Sequence, residues 1–245
     1  MKERLVTSLV LIAVLIFVGI VNSKIITGLL IAAIAYFAFK EAENLFALRE
    51  KEMFYIAVGT IALSIIINPL TAAVFGVIVA ASYIAYSQKE LSLVSTLIYP
   101  LMPLMILYAL YIKYGMGVLG WLIVIVALTD SLAYFVGKNF ARKFIQSGFC
   151  PTSPNKSWEG VIGGVAGATI IGAFVGLYFM NFWNAFLISL FVSITSVFGD
   201  LFESYLKRRA GVKDSGNILP GHGGVLDRID GYLFAAPVMF VLLGV

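Results

Sequence analysis

Carboxylates that could hold a metal ion lie in the C-terminal half of the chain. Asp227 and Asp230 are three residues apart, so a helix would place both on one face. Asp200 lies upstream, in the last part of an apolar run that ends in GDLFESYLKRR. Carboxylate oxygens suit hard cations such as Mg²⁺, and two ions about 3.5 to 4 Å apart could be held jointly. We predict that Asp200, Asp227 and Asp230 bind Mg²⁺, either alone or together with a second cation. Helix capping by Asp227 and Asp230 is the alternative.

A further acidic residue, Asp130, lies late in the apolar run WLIVIVALTDSLAYFVGK. An ionised Asp in the centre of a bilayer costs about 2.5 to 3.5 kcal/mol, so it persists where it faces a polar cavity or a partner. We therefore predict that Asp130 faces a polar site, and we count it as another candidate metal ligand. A hydrogen bond to a neighbouring helix is the alternative.

Glycines surround the single histidine of the chain in the segment KDSGNILPGHGGVLDRID. Because glycine has no side chain, the backbone of such a loop can approach a ligand closely, and successive amides can bind phosphate oxygens. His222 has no obvious packing partner between its glycines, so we predict that it contacts substrate. Gly223 and Gly224 belong to the same predicted phosphate-binding loop.

A second polar loop, CPTSPNKSWEG, covers residues 150–160 and precedes another apolar run. Ser153, Lys156 and Ser157 supply hydrogen-bond donors just before a predicted helix, whose N-terminus itself attracts anions. Ser157 also suits a helix N-cap, which is the alternative. The two polar loops together indicate a nucleotide or polyphosphate site at a membrane surface.

The elements that must position these residues are membrane helices. Of the 245 residues, 61% are apolar and 12% are charged, and the mean hydropathy is +0.99, unlike a soluble domain. A span needs about 20 apolar residues. The predicted fold class is all-α, a polytopic integral membrane protein with about nine transmembrane helices. The nine segments are Leu5–Val21, Ile25–Phe39, Met53–Ile67, Leu70–Tyr86, Leu91–Ile112, Met116–Phe135, Val161–Met180, Phe182–Glu203 and Gly231–Val245. Because the last segment is short, we expect the natural chain to continue beyond Val245.

Positive charge is distributed unevenly among the predicted loops. With a cytoplasmic N-terminus, 15 of the 17 Lys and Arg residues fall on the cytoplasmic side, and Lys24 and Lys113 fall outside. This split follows the positive-inside rule and puts loops 137–160 and 204–230 in the cytoplasm. Since the placement of charge explains the net charge of +4, no nucleic-acid partner is expected.

The predicted chemistry divides the chain into an N-terminal membrane part, residues 1–112, and a C-terminal catalytic part, residues 113–245. Glycines in the seventh predicted span indicate close approach of another helix, at positions 160, 163, 164, 167, 172 and 176. The stretch Lys40–Glu52 mixes charged and apolar residues, and we interpret it as an interfacial connector rather than a ligand site. A homodimer is one open alternative for the oligomeric state.

The segment 204–230 resembles a family signature over its full 27 residues. It contains SYLKR, then KDSG, then LPGHGGVLDRID, with the spacings of the phosphatidate cytidylyltransferase (CDP-diacylglycerol synthase) family. The segment SPNKSWEG resembles a second element of that family, in which a Lys often stands where this chain has Asn155. The multi-span layout extends the resemblance to the whole chain.

The resemblance implies an enzyme of phospholipid synthesis that transfers CMP from CTP to phosphatidate, releasing pyrophosphate and forming CDP-diacylglycerol with Mg²⁺. It implies catalytic roles for Asp200, Lys207, Asp227 and Asp230. The implied partners are CTP, phosphatidate and membrane lipid, and the implied location is a bacterial cytoplasmic membrane. The implied substrate-binding residues are Ser153, Lys156, Ser157, Ser204, Arg208, Lys213, Asp214, His222, Gly223, Gly224 and Arg228.

Two other function classes fit parts of the pattern. A CTP-dependent lipid-alcohol kinase would transfer the γ-phosphoryl group and would need a base to deprotonate the alcohol. A cation-coupled transporter would use Asp130 and Asp200 as ion sites, but no internal repeat is found and the glycines and charges concentrate in loops. A membrane scaffold without chemistry would leave the near-membrane Asp residues unexplained.

Overall fold

The computed structural model describes residues 2–244, with side chains from Leu5 onward. Val245 and the side chains of Lys2 and Arg4, which entered the span and charge predictions, lie outside this part. A 3₁₀ turn at Leu91–Val94 and a π-type turn at Leu97–Leu101 precede the longest helix. The α-helices are α1 Lys2–Val21, α2 Lys24–Leu45, α3 Lys51–Ile66, α4 Pro69–Ser87, α5 Met102–Phe140, α6 Trp158–Gly176, α7 Phe182–Arg209 and α8 Leu226–Leu242.

Local sequence explains where several of these helices begin and end. The side chain of Ser23 accepts a hydrogen bond from the amide of Ile26 and caps α2. Asn68 does the same for α4 at the amide of Leu70, 2.9 Å away, and Pro69 occupies the first helical position. These side chains satisfy backbone amides that have no partner within the helix, so they define its start.

Within residues 2–244, helices occupy most of every segment that was predicted to span a membrane. Within residues 2–244, five stretches are both long and apolar enough to cross: Lys24–Leu45, Pro69–Ser87, Leu91–Phe140, Trp158–Gly176 and Phe182–Arg209. The helical membrane class is thus confirmed, whereas the count of nine spans is not. The fifth and sixth predicted spans both fall in Leu91–Phe140, where the backbone leaves the helical conformation at Gly115, with φ 86° and ψ 177°.

The helices group into two compact units. The first unit consists of the chain up to Met116 together with Leu206–Ile229. Its core includes Phe39 of α2 and Met53 of α3, both almost completely buried. The hydroxyl of Tyr108 in α5 donates to the carbonyl oxygen of Lys24, 3.0 Å away, and fixes the start of α2. The predicted division at residue 112 concerns function, and it stays a prediction.

The second unit consists of Gly117–Tyr205 together with the chain from Asp230 onward. Glycines of α6 lie directly against α5: a Cβ at Gly164 would come 2.7 Å from the carbonyl oxygen of Thr129 and 2.8 Å from the Cβ of Ala133. The indole of Trp121 donates to the carbonyl oxygen of Gly172 at 2.7 Å. The close helix approach predicted from the glycines is therefore confirmed within this unit.

A short β-hairpin precedes α6 in this otherwise helical chain. Strand β1, Gly148–Cys150, pairs antiparallel with β2, Ser153–Ser157, and Cys150 lies opposite Ser153. The side chain of Glu159 accepts hydrogen bonds from the amides of Phe144 and Ile145 at 3.0 and 2.8 Å. These bonds tie the chain before the hairpin to the first turn of α6, so the predicted donor loop is an ordered hairpin.

Candidate functional site

The glycine-rich loop of the first unit is organised around the carboxylate of Asp227. Its Oδ2 accepts hydrogen bonds from the amide of Ser215 at 2.9 Å and the amide of Gly224 at 2.8 Å, and the hydroxyl oxygen of Ser215 lies 3.0 Å away. Asp227 lies in the first turn of α8, and its side chain reaches back to the amide of Gly224, which precedes the helix. This hydrogen bond satisfies the amide just before the helix and connects the end of the loop to the first turn of α8.

The other oxygen of Asp227 forms an ion pair with Lys207. The ammonium nitrogen lies 2.6 Å from Oδ1, and the two side chains are only 13% and 7% exposed. Burial alone would raise the pKa of Asp227, but the Lys207 ammonium and the amides of Gly224 and Ser215 outweigh it, so this pKa lies below its usual value. The carboxylate is therefore ionised at neutral pH and holds Lys207 at the loop.

Tight turns shape the outer part of the same loop. The amide of His222 donates to the carbonyl oxygen of Leu219 at 2.9 Å, with Pro220 and Gly221 between them. Gly221 and Gly223 have φ of 74° and 83°, values that favour glycine. The glycines thus form two tight turns, and the approach of a ligand to this backbone stays a prediction.

A polar pocket of about 560 Å³ opens at these turns. The side chain of His222 approaches Ser8 of α1, with Nε2 3.1 Å from the hydroxyl, and Arg228 donates to the carbonyl oxygen of His222 at 2.7 and 3.1 Å. Both contacts hold the pocket wall in place. The predicted substrate residues among those lining the pocket are Lys213, Asp214, His222, Gly223 and Arg228.

Glu41 of α2 binds the glycine-rich loop. The sequence analysis did not predict this contact. Its carboxylate accepts hydrogen bonds from the hydroxyl of Ser215 and from the amides of Val225 and Leu226, each at 2.8 Å. The residue is 3% exposed. The interpretation of Lys40–Glu52 as a connector is therefore wrong at its start, because α2 continues to Leu45. The available signal was the position of Glu41 at the charged end of a long apolar helix.

A second pocket, of about 510 Å³, lies in the second unit between the hairpin, α5, α6 and α7. Lys156 of β2 and Asp200 of α7 meet there, with Nζ 2.5 Å from Oδ2. Asp130 lines the same pocket and interacts electrostatically with both residues. The hydroxyl of Ser204 donates to Oδ1 of Asp200 at 3.3 Å. The structure therefore brings together Asp130, Lys156, Asp200 and Ser204 as predicted polar residues.

The remaining predicted residues have structural surroundings of their own. Ser157 lines the second pocket, but its hydroxyl accepts from the amide of Gly160 at 3.1 Å, so the N-cap alternative is realised. Ser153 begins β2 and is not among the described residues lining that pocket. Arg208 is exposed in the last turn of α7. Oδ1 of Asp230 accepts from the following amide of Gly231 at 2.7 Å.

The fit of a magnesium ion can be judged from these carboxylates. In residues 2–244, no three His, Cys, Asp or Glu side chains are gathered as a metal site. Mg²⁺ is commonly held by one or two carboxylates, with water and substrate phosphates completing its octahedron. Asp130 and Asp200 share one pocket and offer oxygen ligands alone. This pair fits such an ion chemically once Lys156 leaves Asp200, whereas Asp227 is held by Lys207 and by the loop amides together.

Comparison with known proteins identifies the family of this chain over almost its whole length. The model of the cytidylyltransferase family matches residues 2–245. The chain is 36% identical to a phosphatidate cytidylyltransferase of Helicobacter pylori over 247 residues, covering 99% of this chain and 91% of that protein. A phosphatidate cytidylyltransferase of Bacillus subtilis is 42% identical over 134 residues, or 54% of this chain and 49% of that protein. A third, from Thermotoga maritima, is 46% identical over 121 residues, covering 46% and 44%. This chain belongs to the cytidylyltransferase family.

Proposed function

We propose that this protein transfers CMP from CTP to phosphatidate, forming CDP-diacylglycerol and releasing pyrophosphate for phospholipid synthesis. The observation that carries the proposal is the family match over residues 2–245, together with relatives named phosphatidate cytidylyltransferase at 36 to 46% identity. The two pockets contain the basic side chains that this reaction needs. The enzyme is thus a nucleotidyltransferase whose acceptor substrate is a membrane lipid.

The chemistry is a displacement at the α-phosphorus of CTP by the phosphate of phosphatidate. Both substrates are anionic, so cationic side chains must reduce their repulsion and stabilise the departing pyrophosphate. A phosphomonoester has a second pKa of about 6, so the lipid phosphate is largely dianionic at neutral pH and needs no strong base. His222 is better suited to hold substrate than to accept a proton.

The polar pocket of the first unit suits the triphosphate of CTP. Its volume of about 560 Å³ lies within the usual range of small-molecule sites, and Lys213 and Arg228 line it. Gly221 and Gly223 form tight turns in the same wall, and turns of this kind can present amides to phosphate oxygens. The buried pair of Lys207 and Asp227 keeps this wall folded.

The pocket of the second unit suits the headgroup of phosphatidate. Small and apolar residues such as Ala133, Gly160 and Val161 line it beside Lys138 and Lys156. A phosphate at the lysines would leave the glycerol and acyl chains against apolar walls of helices that can cross a membrane. Lys156 would exchange its ion pair with Asp200 for one with the lipid phosphate.

We assign Mg²⁺ to the oxygens of Asp130 and Asp200. When bound, the ion would neutralise and align phosphate oxygens. The assignment is supported by the shared pocket and by the oxygen-only donor set. The sequence-based assignment of Asp227 and Asp230 to the metal, and that of a second cation, stay predictions.

The membrane arrangement that suits these substrates has both polar loops in the cytoplasm, where CTP is available. The charge distribution of 15 against two supports this orientation, and the bacterial relatives support a bacterial cytoplasmic membrane. Nine spans remain the finer proposal within the helical membrane class. The predictions of a homodimer and of no nucleic-acid partner stay predictions.

Labelled CTP tests the proposed reaction. Purified protein in detergent receives phosphatidate, Mg²⁺ and CTP labelled at the α- or the γ-phosphorus, and the extracted lipid is then counted. We expect α label in lipid, γ label in released pyrophosphate, and loss of both signals when Mg²⁺ is chelated. Label from the γ-phosphorus in lipid would favour a kinase, and no transfer to any lipid would favour the transporter.

A further inference from the structure

We propose that Glu41 is a positioning residue that holds the glycine-rich loop 213–226 in the conformation that binds CTP. The inference rests on the proposed function for its ligand, and on the structure for the anchor itself. Glu41 belongs to α2, an N-terminal membrane helix, and lies 184 residues before its partner Val225.

The carboxylate of Glu41 accepts hydrogen bonds from the loop at both of its oxygens. Oε1 accepts from the amide of Val225, and Oε2 accepts from the amide of Leu226 and from the hydroxyl of Ser215, each at 2.8 Å. An ionised carboxylate accepts hydrogen bonds and donates none, so this donor set matches its chemistry. Bonds of this kind to a buried charged group are among the stronger hydrogen bonds of proteins.

Two of these donors are amides at the start of α8. Leu226 is the first residue of α8 and Val225 precedes it. Amides at a helix N-terminus have no partner within the helix, and the helix dipole favours a negative charge there. Glu41 therefore acts as an N-cap supplied by another helix, and it fixes where the loop ends and α8 begins.

Two glycines of the loop leave room for this carboxylate. A Cβ at Gly216 would come 2.5 Å from Oε1 and 2.9 Å from Cδ of Glu41, and a Cβ at Gly224 would come 2.5 Å from Oε2. All three distances are shorter than the contacts that real Cβ atoms make, so a larger residue would displace the carboxylate of Glu41. The signature glycines thus serve the approach of Glu41 as well as the backbone turns at Gly221 and Gly223.

Ser215 connects the anchor to the ion pair of the loop. Its hydroxyl lies within hydrogen-bond distance of both Glu41 Oε2, at 2.8 Å, and Asp227 Oδ2, at 3.0 Å. Asp227 in turn holds Lys207. Displacement of Glu41 should therefore disturb the walls of the polar pocket through Ser215, although Glu41 is not among its lining residues.

The test compares Glu41→Gln with Glu43→Gln in the purified full chain. In Glu41→Gln, the new amide nitrogen would face a backbone N–H at either oxygen position, so at least one loop bond is lost. Glu43 is a matched control, because it is buried in the same helix and pairs with Lys40 at 2.9 Å instead of the loop. Three measurements are made: hydrogen–deuterium exchange of residues 213–226, the Kd for CTP by calorimetry, and KM for each substrate.

We expect Glu41→Gln to speed exchange in 213–226 about tenfold or more and to raise the Kd and KM for CTP by about tenfold or more. The KM for phosphatidate should change less than about twofold, and Glu43→Gln should change none of these values. Unchanged exchange in 213–226, exchange that rises equally in all helices, or an unchanged Kd for CTP would each overturn the proposal.

A variant on the loop side covers the case in which Glu41→Gln does not fold. Gly216→Ala pushes on the carboxylate without altering α2 and should produce the same local exchange and the same weaker CTP binding. Normal exchange and CTP affinity in Gly216→Ala would contradict the anchor. If the wild-type protein bound CTP but transferred no CMP to lipid, the proposed reaction would fail, while exchange and Kd would still decide the role of Glu41.

Discussion

The ammonium group of Lys207 lies 2.6 Å from Oδ1 of Asp227, and both side chains are largely buried. The pair joins the end of α7 to the start of α8, and the same carboxylate holds Ser215 and Gly224 through its other oxygen. This buried ion pair therefore acts together with Glu41 in holding the glycine-rich loop.

Lys207→Met and Asp227→Asn should each lower turnover by about a hundredfold or more. Removing one partner leaves the other buried without its counter-charge, which typically costs about 3 to 5 kcal/mol. Because both variants break the same interaction, the double variant should lose little more activity than either single one. The measurement is the CMP-transfer rate at saturating substrates.

Lys89→Met is the control for the single and double variants of Lys207 and Asp227. Lys89 pairs with Glu50 at 3.1 Å, but the two side chains are 42% and 29% exposed, so solvent screens the pair and its loss should have little effect. Its activity should equal that of the wild type. Full additivity of the Lys207 and Asp227 losses would show that the two residues act separately.

Asp130→Asn and Asp200→Asn should raise the Mg²⁺ concentration that gives half-maximal activity by about tenfold or more. Each removes a charged oxygen ligand from the pocket in which they meet Lys156. The rate is measured against free Mg²⁺ in buffered solutions. Glu159→Gln is the control, since Glu159 binds the amides of Phe144 and Ile145. An unchanged Mg²⁺ dependence in both Asp variants would remove them from the metal site.

Gly164→Ala should lower the stability of the second unit. The new methyl group would overlap the carbonyl oxygen of Thr129 and the side chain of Ala133, and such overpacking costs about 1 to 3 kcal/mol. Thermal unfolding in detergent measures the effect. Gly120→Ala is the matched control, because no neighbouring atom lies within 4 Å of its added Cβ. Equal unfolding temperatures for the two variants would refute close packing at Gly164.

Single cysteines should report the orientation in the membrane. In a Cys150→Ser background, Gln146→Cys and Val212→Cys lie at exposed positions of the two polar loops, whereas Lys113→Cys lies at a predicted external turn. An impermeant thiol reagent should label only the cysteine at 113 in intact cells, and all three after lysis. Labelling at 146 or 212 in intact cells would reverse the proposed orientation.

Much of the fold follows from local sequence. Hydropathy over windows of about 20 residues located the helices, because lipid requires backbone hydrogen bonds to be satisfied within each one. Glycines at 164 and 172 indicated close packing, since only a missing side chain allows it. The hairpin at Gly148–Ser157 was not predicted, because its strands are short and contain no regular alternation.

Part of the site was equally accessible from sequence. The carboxylates Asp227 and Asp230 of segment 204–230 were selected from their spacing, whereas most of its basic residues were implied by the family resemblance. The structure joins Lys207 to Asp227 within this segment. Its spacing could not reveal that Asp227 is surrounded by loop amides, because those bonds depend on backbone turns at Ser215 and Gly224.

By itself, the sequence determined a helical membrane protein with basic, acidic and glycine residues in two polar loops. Only the tertiary structure decided that Lys156 pairs with Asp200 and that Glu41 anchors the loop at Val225. Hydropathy and turn chemistry act over a few neighbouring residues, whereas these partners are 44 and 184 residues apart. Such pairs form only when packing brings their helices together, and the buried charge then makes the partner obligatory.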